Sequence, residues 1–138
     1  MEPEVFELDL VVDEQDIDML GHVSNLVFVR WIQDVAFAHS AAVGFDLIAY
    51  KRIGAVFVVV RHEIDYVRPA LRGDVVRGRT WVSDVTAAKC LRHTQLTRAG
   101  GGELLAKALT TWGFVAFDTG RPRRITPDVR AAFERYVA

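Results

Sequence analysis

Apolar and polar positions alternate over residues 4–12. Phe6, Leu8, Leu10 and Val12 share one side, and Val5, Glu7, Asp9 and Val11 share the other. A period of two with one wholly apolar side predicts a half-buried strand. An acidic, turn-like stretch follows, and Ser24 or Asn25 offers a side-chain oxygen to the first free N–H groups of a helix. That helix is predicted from about Asn25 to Val43, with Gly44 placed for a left-handed cap. Its apolar residues, from Leu26 through Trp31 and Phe37 to Val43, surround most of the circumference, which predicts a helix inside the protein. Phe45 to Lys51 can add a short helical turn.

The second half is strand-like. Ala55 to Arg68, Val75 to Val85, Lys89 to Arg98 and Glu103 to Phe117 are four strand candidates, separated by Pro69, the Arg72-Gly73-Asp74 turn and Gly100-Gly101-Gly102. Short connections predict an antiparallel meander. The triple glycine lies between two strands and reads as a hairpin turn, not a phosphate-cradling loop. Thr126-Pro127-Asp128 opens a C-terminal helix whose Val129, Ala132, Phe133 and Tyr136 form one apolar stripe. The predicted fold is α+β: a five-stranded antiparallel sheet wrapped around a long central helix, one domain over residues 1–138. Such a sheet leaves an edge strand, so pairing with a second copy is expected, as a homodimer or homotetramer.

Composition narrows the function classes. With 17 Lys+Arg against 18 Asp+Glu, the chain has no basic excess for gripping nucleic acid through a broad face. The longest apolar run, Ala55 to Val60, is far short of the roughly 20 residues of a membrane span. The acidic start, Met-Glu-Pro-Glu, does not read as a secretory signal. Cys90 is the only cysteine, so neither an internal disulfide nor a cysteine metal cluster is expected, and a cytoplasmic location is the default. The four histidines, at 22, 39, 62 and 93, lack metal-ligand spacing, so no metal is expected.

Asp16-Ile17-Asp18-Met19-Leu20-Gly21-His22-Val23-Ser24-Asn25 matches the pattern Asp-x-Asp-x-x-Gly-His-Val-Asn-Asn, with Ser24 replacing the first Asn. Arg30-Trp31 and Asp34 follow on the helix, and His62 to Ala70, Gly73-Asp74 and Lys89-Cys90-Leu91 add weaker matches. In these segments and in element order the chain resembles the hotdog-fold thioesterases, in particular the 4-hydroxybenzoyl-CoA thioesterase family and its acyl-CoA thioesterase relatives.

A thioester is attacked at its carbonyl carbon while negative charge grows on the oxygen, so a site needs a nucleophile or base and a donor aimed at that oxygen. On composition alone, Asp13, Glu14, Asp16 and Asp18 read as a solvated acidic loop. The resemblance implies that Asp18 is the nucleophile or general base and that the backbone N–H of Asn25 polarises the carbonyl. Asp16 is the rival carboxylate, and Asp34 a further one. His22 reads either as a general base or as a loop residue that fixes the Asp18 turn, the second being favoured. Gly21 supplies a backbone shape that larger residues resist. His39 is expected on a helix flank or in a capping contact. His62 is expected as a core or interface histidine on a face with Val58, Val60, Ile64 and Tyr66. For coenzyme A phosphates the resemblance implies Lys89, with Arg92, Arg61 and Arg68 as looser candidates. The implied activity is acyl-CoA hydrolysis to a carboxylic acid and free CoA. No cofactor is expected, because coenzyme A is part of the substrate. The alternatives are a thioesterase acting on acyl carrier protein and a non-catalytic binder of acyl thioesters.

Overall fold

A computed structural model describes residues 2–138. The first strand, β1 (Phe6–Val11), alternates inward and outward as its sequence does. A 3-10 turn (Glu14–Asp16) and a tight loop lead into α1 (Asn25–Ala42). Ser24 caps α1, its Oγ accepting from the Leu26 N–H at 3.2 Å. Gly44, at φ +100°, ends it where a side chain would be strained. Helix α2 (Leu47–Ile53) is a full helix rather than a single turn, because Asp46 caps it through the Ala49 N–H and Gly54 closes it in the left-handed conformation. There follow β2 (Ala55–Tyr66), β3 (Val75–Ser83), β4 (Lys89–Arg98), β5 (Leu104–Ala116) and α3 (Pro127–Phe133).

The strands form one antiparallel sheet in the order β1-β3-β4-β5-β2. Only β3, β4 and β5 are a meander, which corrects the four-strand expectation. β2 pairs with β5, from Ala55↔Ala116 to Tyr66↔Ala106, and so forms the edge opposite β1. The chain leaves β2 by crossing β5, where Val67 and Arg68 both donate to the Leu105 carbonyl, and returns to the sheet as β3 beyond β4. A bulge between Val59 and Arg61 inserts Val60 and reverses the inward parity of β2. Ala55, Phe57 and Val59 therefore turn inward before it, and His62 and Ile64 after it. His62 does not share a face with Val58 and Val60.

The sheet curls over α1, which lies on its inner face. Val27, Phe28, Trp31, Ile32, Val35, Ala36 and His39 form the buried stripe. Each large apolar side chain on it contributes about 1.5–3 kcal/mol of burial. The opposite stripe, with Leu26, Arg30 and Phe37, stays open, so α1 is half enclosed rather than surrounded. Gly78 of β3 faces Val35 so closely that a Cβ there would overlap its Cγ2. No helix among the described residues is long and apolar enough to cross a membrane.

Candidate active site

The acidic loop before α1 is a small hairpin. Asp18 N–H donates to the His22 carbonyl at 2.7 Å, Ile17 bridges to Val23, and Ser24 N–H donates to the Asp16 carbonyl at 2.9 Å. Gly21 at φ +79° makes the turn. Further tethers run to the β2–β3 connection, through Val23 N–H to the Ala70 carbonyl and Glu14 to Arg72.

The two rival carboxylates have different surroundings. Asp16 is 3% exposed. Its Oδ2 accepts from the Asp13 N–H at 2.9 Å, and its Oδ1 accepts from Arg30 Nη2 at 3.2 Å. Both oxygens are committed, and they lock the loop onto α1. Asp18 is exposed, and only Oδ1 is engaged, accepting from the N–H groups of Leu20 (2.9 Å) and His22 (3.3 Å). Among the described residues Oδ2 has no hydrogen bond and faces solvent. Asn25 is the first residue of α1, a position whose N–H has no intrahelical acceptor and sits at the positive end of the dipole.

The structure thus bonds Asp18 to His22 on the hairpin whose second arm runs, three residues on, into Asn25 at the start of α1. His22 acts there through its backbone, giving its N–H to Asp18 and taking the Asp18 N–H, while its side chain is exposed. Met19 and Leu20 at the loop tip and Leu26 on the first helical turn are largely exposed, so the carboxylate sits beside an uncovered apolar rim. Asp34, the further rival carboxylate, is on α1 and partly exposed. Its side chain is 45% exposed and stands 3.8 Å from Arg30 Nε.

Apart from Arg68, which lies two residues before Ala70 on the connection that tethers the loop, the basic candidates are not beside it. Lys89 begins β4, whereas the loop lies by the start of β3, which pairs with the end of β4. The ten residues of β4 separate the two, about 33 Å at strand rise. Arg61 lies past the β2 bulge and pairs with Glu63. Arg68 pairs with Glu103.

Arg92 is not on a groove edge at all. It is 6% exposed, and its Nη1 donates to Thr80 Oγ1 (3.0 Å) and to His39 Nδ1 (2.9 Å). Burial pushes its pKa down to about 10. His39, expected on a flank, is wholly buried between Phe6, Phe133 and Tyr136. Burial, with Arg92 and Arg135 adding to it, pushes its pKa down to about 3, so the ring is neutral and accepts from Arg92 at Nδ1. His62 gives or takes a hydrogen bond with Thr110 Oγ1 at 2.8 Å, and burial lowers its pKa. The signal for Arg92 was present in the alternation of β4, where Cys90, Arg92, Thr94 and Leu96 occupy every second position and face inward. For His39 it was the spacing Val35-Ala36-His39 on the buried stripe.

A family model described as the thioesterase-like superfamily matches residues 12–133. Oleoyl-acyl carrier protein thioesterase 2, chloroplastic, from Arabidopsis thaliana is 27% identical over 105 residues, covering 72% of this chain and 29% of that protein. The chain therefore spans under a third of the length of this curated relative. Among solved structures, a 1,4-dihydroxy-2-naphthoyl-CoA thioesterase from Synechocystis superposes with a TM-score of 0.86 at 19% identity, covering 94% of this chain and 96% of that one. A hypothetical protein from Staphylococcus aureus, solved in complex with CoA, gives 0.90 at 16% identity, with 99% and 85% covered. YbaW, a probable thioesterase from Escherichia coli, gives 0.81 at 20% identity, with 96% and 98% covered. At these identities the likeness establishes the fold, which is the hotdog fold.

Proposed function

The chain belongs to the thioesterase-like superfamily, and from that premise we propose that it hydrolyses an acyl-CoA to a carboxylic acid and free CoA. Asp18 Oδ2 attacks the thioester carbon, or takes a proton from the water that does. The Asn25 N–H and the positive end of α1 receive the charge growing on the carbonyl oxygen. The C–S bond breaks, the thiolate leaves and takes up a proton, and water supplies the oxygen of the acid. The observation that carries this reading is the pairing, on one hairpin, of a carboxylate with a free oxygen and a helix N-terminus with an uncommitted N–H.

A second copy completes the site in this reading. β2 is an open edge carrying Val58 and the bulged Val60, 40% and 54% exposed. Two copies paired antiparallel through β2 set the Lys89 end of one sheet beside the Asp18 end of the other. Twofold pairing thus supplies what one protomer separates, and it covers the apolar rim around Met19 and Leu20. Arg61, just past the bulge, then lies at the seam.

Acyl carrier protein as the acyl donor is the second reading, favoured by the match to the Arabidopsis enzyme. The test is thiol release from short, long and aromatic acyl-CoAs, with the preferred acyl group then presented on the carrier protein. Faster release from CoA supports the first reading, and faster release from the carrier protein the second. Tight binding of both without thiol release refutes hydrolysis and leaves a binding protein.

A further inference from the structure

A second feature lies far from Asp18 within the protomer. A cavity of about 320 Å³ lies between the C-terminal half of α1, α2, α3 and the inner face of the sheet. Ala36, the first α1 residue in its wall, is 11 positions beyond Asn25, so the cavity starts roughly 16 Å along the helix. Ala36, Phe57, Val82, Trp112 and Phe133 make the wall apolar, and Phe37 and Leu47, each 56% exposed, edge its mouth.

The buried cation in this wall is Arg92. A guanidinium carries five N–H donors. Both protein hydrogen bonds of Arg92 leave from Nη1, and among the described residues no acceptor meets Nε or Nη2. No carboxylate pairs with it there either. Its hydrogen-bonded neighbours are a threonine hydroxyl and the neutral ring of His39, which orient the guanidinium without offsetting its charge. A charge taken from water calls for an opposite charge, and an apolar chamber calls for an apolar body.

We propose that this cavity is a binding site for a hydrophobic monocarboxylate, with the carboxylate on Nε and Nη2 of Arg92 and the chain or ring in the chamber. At about 30 Å³ per water-sized group, a cavity of about 320 Å³ takes roughly ten non-hydrogen atoms, the size of octanoate. The planar fork of an arginine meets both carboxylate oxygens in parallel, which an ester or an alcohol cannot match. Within one protomer the site lies at the opposite end of α1 from the hairpin, and in the β2 pairing proposed above it falls at the Lys89 end, beside the hairpin of the second copy; carboxylate binding is read without turnover, so its failure and the failure of hydrolysis are told apart.

The test is calorimetric titration of the intact chain with octanoate and with octan-1-ol, following tryptophan fluorescence in parallel because Trp112 lines the cavity. Octanoate is expected to bind saturably and roughly tenfold or more tighter than the alcohol. Arg92→Met is expected to remove that preference while leaving the chamber apolar. Ala36→Leu keeps Arg92 and fills part of the chamber, so it is expected to weaken octanoate by a similar factor even if the arginine variant fails to fold. Equal affinity for acid and alcohol, no saturable octanoate binding at millimolar concentration, or octanoate binding indifferent to Ala36→Leu overturns the proposal.

Discussion

Two carboxylates two residues apart are assigned opposite duties, and a pair of isosteric changes separates them. In Asp16→Asn the amide brings a donor to a place where both oxygens accept, from the Asp13 N–H and from Arg30. One donor is then left facing another donor in a site that is 3% exposed. Stranding a buried polar group costs about 1–3 kcal/mol. For a chain of this length that corresponds to a fall in Tm of roughly 4–12 °C. In Asp18→Asn the carbonyl oxygen still accepts from Leu20 and His22, so the turn keeps its hydrogen bonds. Stability is expected to move by no more than about 2 °C. Turnover is expected to drop by roughly 10²–10⁴-fold, since an amide is neither nucleophile nor base. Calorimetric Tm and thiol release from the best acyl-CoA are read on the same preparations. A loss of turnover in Asp16→Asn at unchanged Tm, with full turnover in Asp18→Asn, would refute the assignment.

Three further outcomes follow from the packing. Gly78→Ala is expected to destabilise the protein by about 1–3 kcal/mol in urea unfolding, because the new methyl overlaps Val35, and Val35→Ala in the same chain should recover part of it; strictly additive losses would contradict that contact. His39 stays neutral in the fold down to about pH 3, while the unfolded chain protonates near its ordinary 6.5. The unfolded state then binds the extra proton, so this contribution is complete above about pH 6.5 and is lost as pH falls towards 3. Between pH 7 and 5 the wild type should lose stability with a slope approaching about 1.4 kcal/mol per pH unit, a slope that His39→Asn should flatten. Burial pushes the Cys90 thiol up to about 11, so a disulfide reagent should leave the native chain unmodified at pH 8 and titrate its one cysteine only in denaturant.

The strands, α1 and α3 were legible because periods of two and 3.6 survive in the sequence wherever one face is buried. What was illegible is non-local. No local pattern tells β2 to pair with β5 instead of β3, since both partners offer apolar inner faces and the choice is made by the crossing at Val67 and Arg68. A one-residue bulge has no signature in the run Val58-Val59-Val60, yet it decides which side His62 takes. The hairpin residues, and the preference for Asp18 over Asp16, were legible only through a spacing that resembles a family, while the physical difference between the two was not, because it depends on Arg30 reaching back fourteen residues. Arg92 was misplaced because residue type was weighed above strand parity. An arginine at an inward position of β4 is buried whatever its usual preference for water.

The site gains its rigidity from being fastened to the helix rather than to the sheet. Asp16 is bonded to Arg30 on the second turn of α1, and Ser24, whose side chain caps the same helix, gives its backbone N–H to the Asp16 carbonyl. The remaining tethers reach the β2–β3 connection, not a strand. A displacement of α1 away from β3, such as a methyl at position 78 would force, carries the hairpin along, and the vector from Asp18 to the Asn25 N–H is held. Sheet packing and the proposed catalytic geometry are thereby uncoupled. Gly78→Ala should lower the folded fraction while leaving turnover per folded molecule near that of the wild type, whereas Arg30→Met, which leaves the sheet contact intact, should loosen the hairpin and depress turnover in molecules that remain folded.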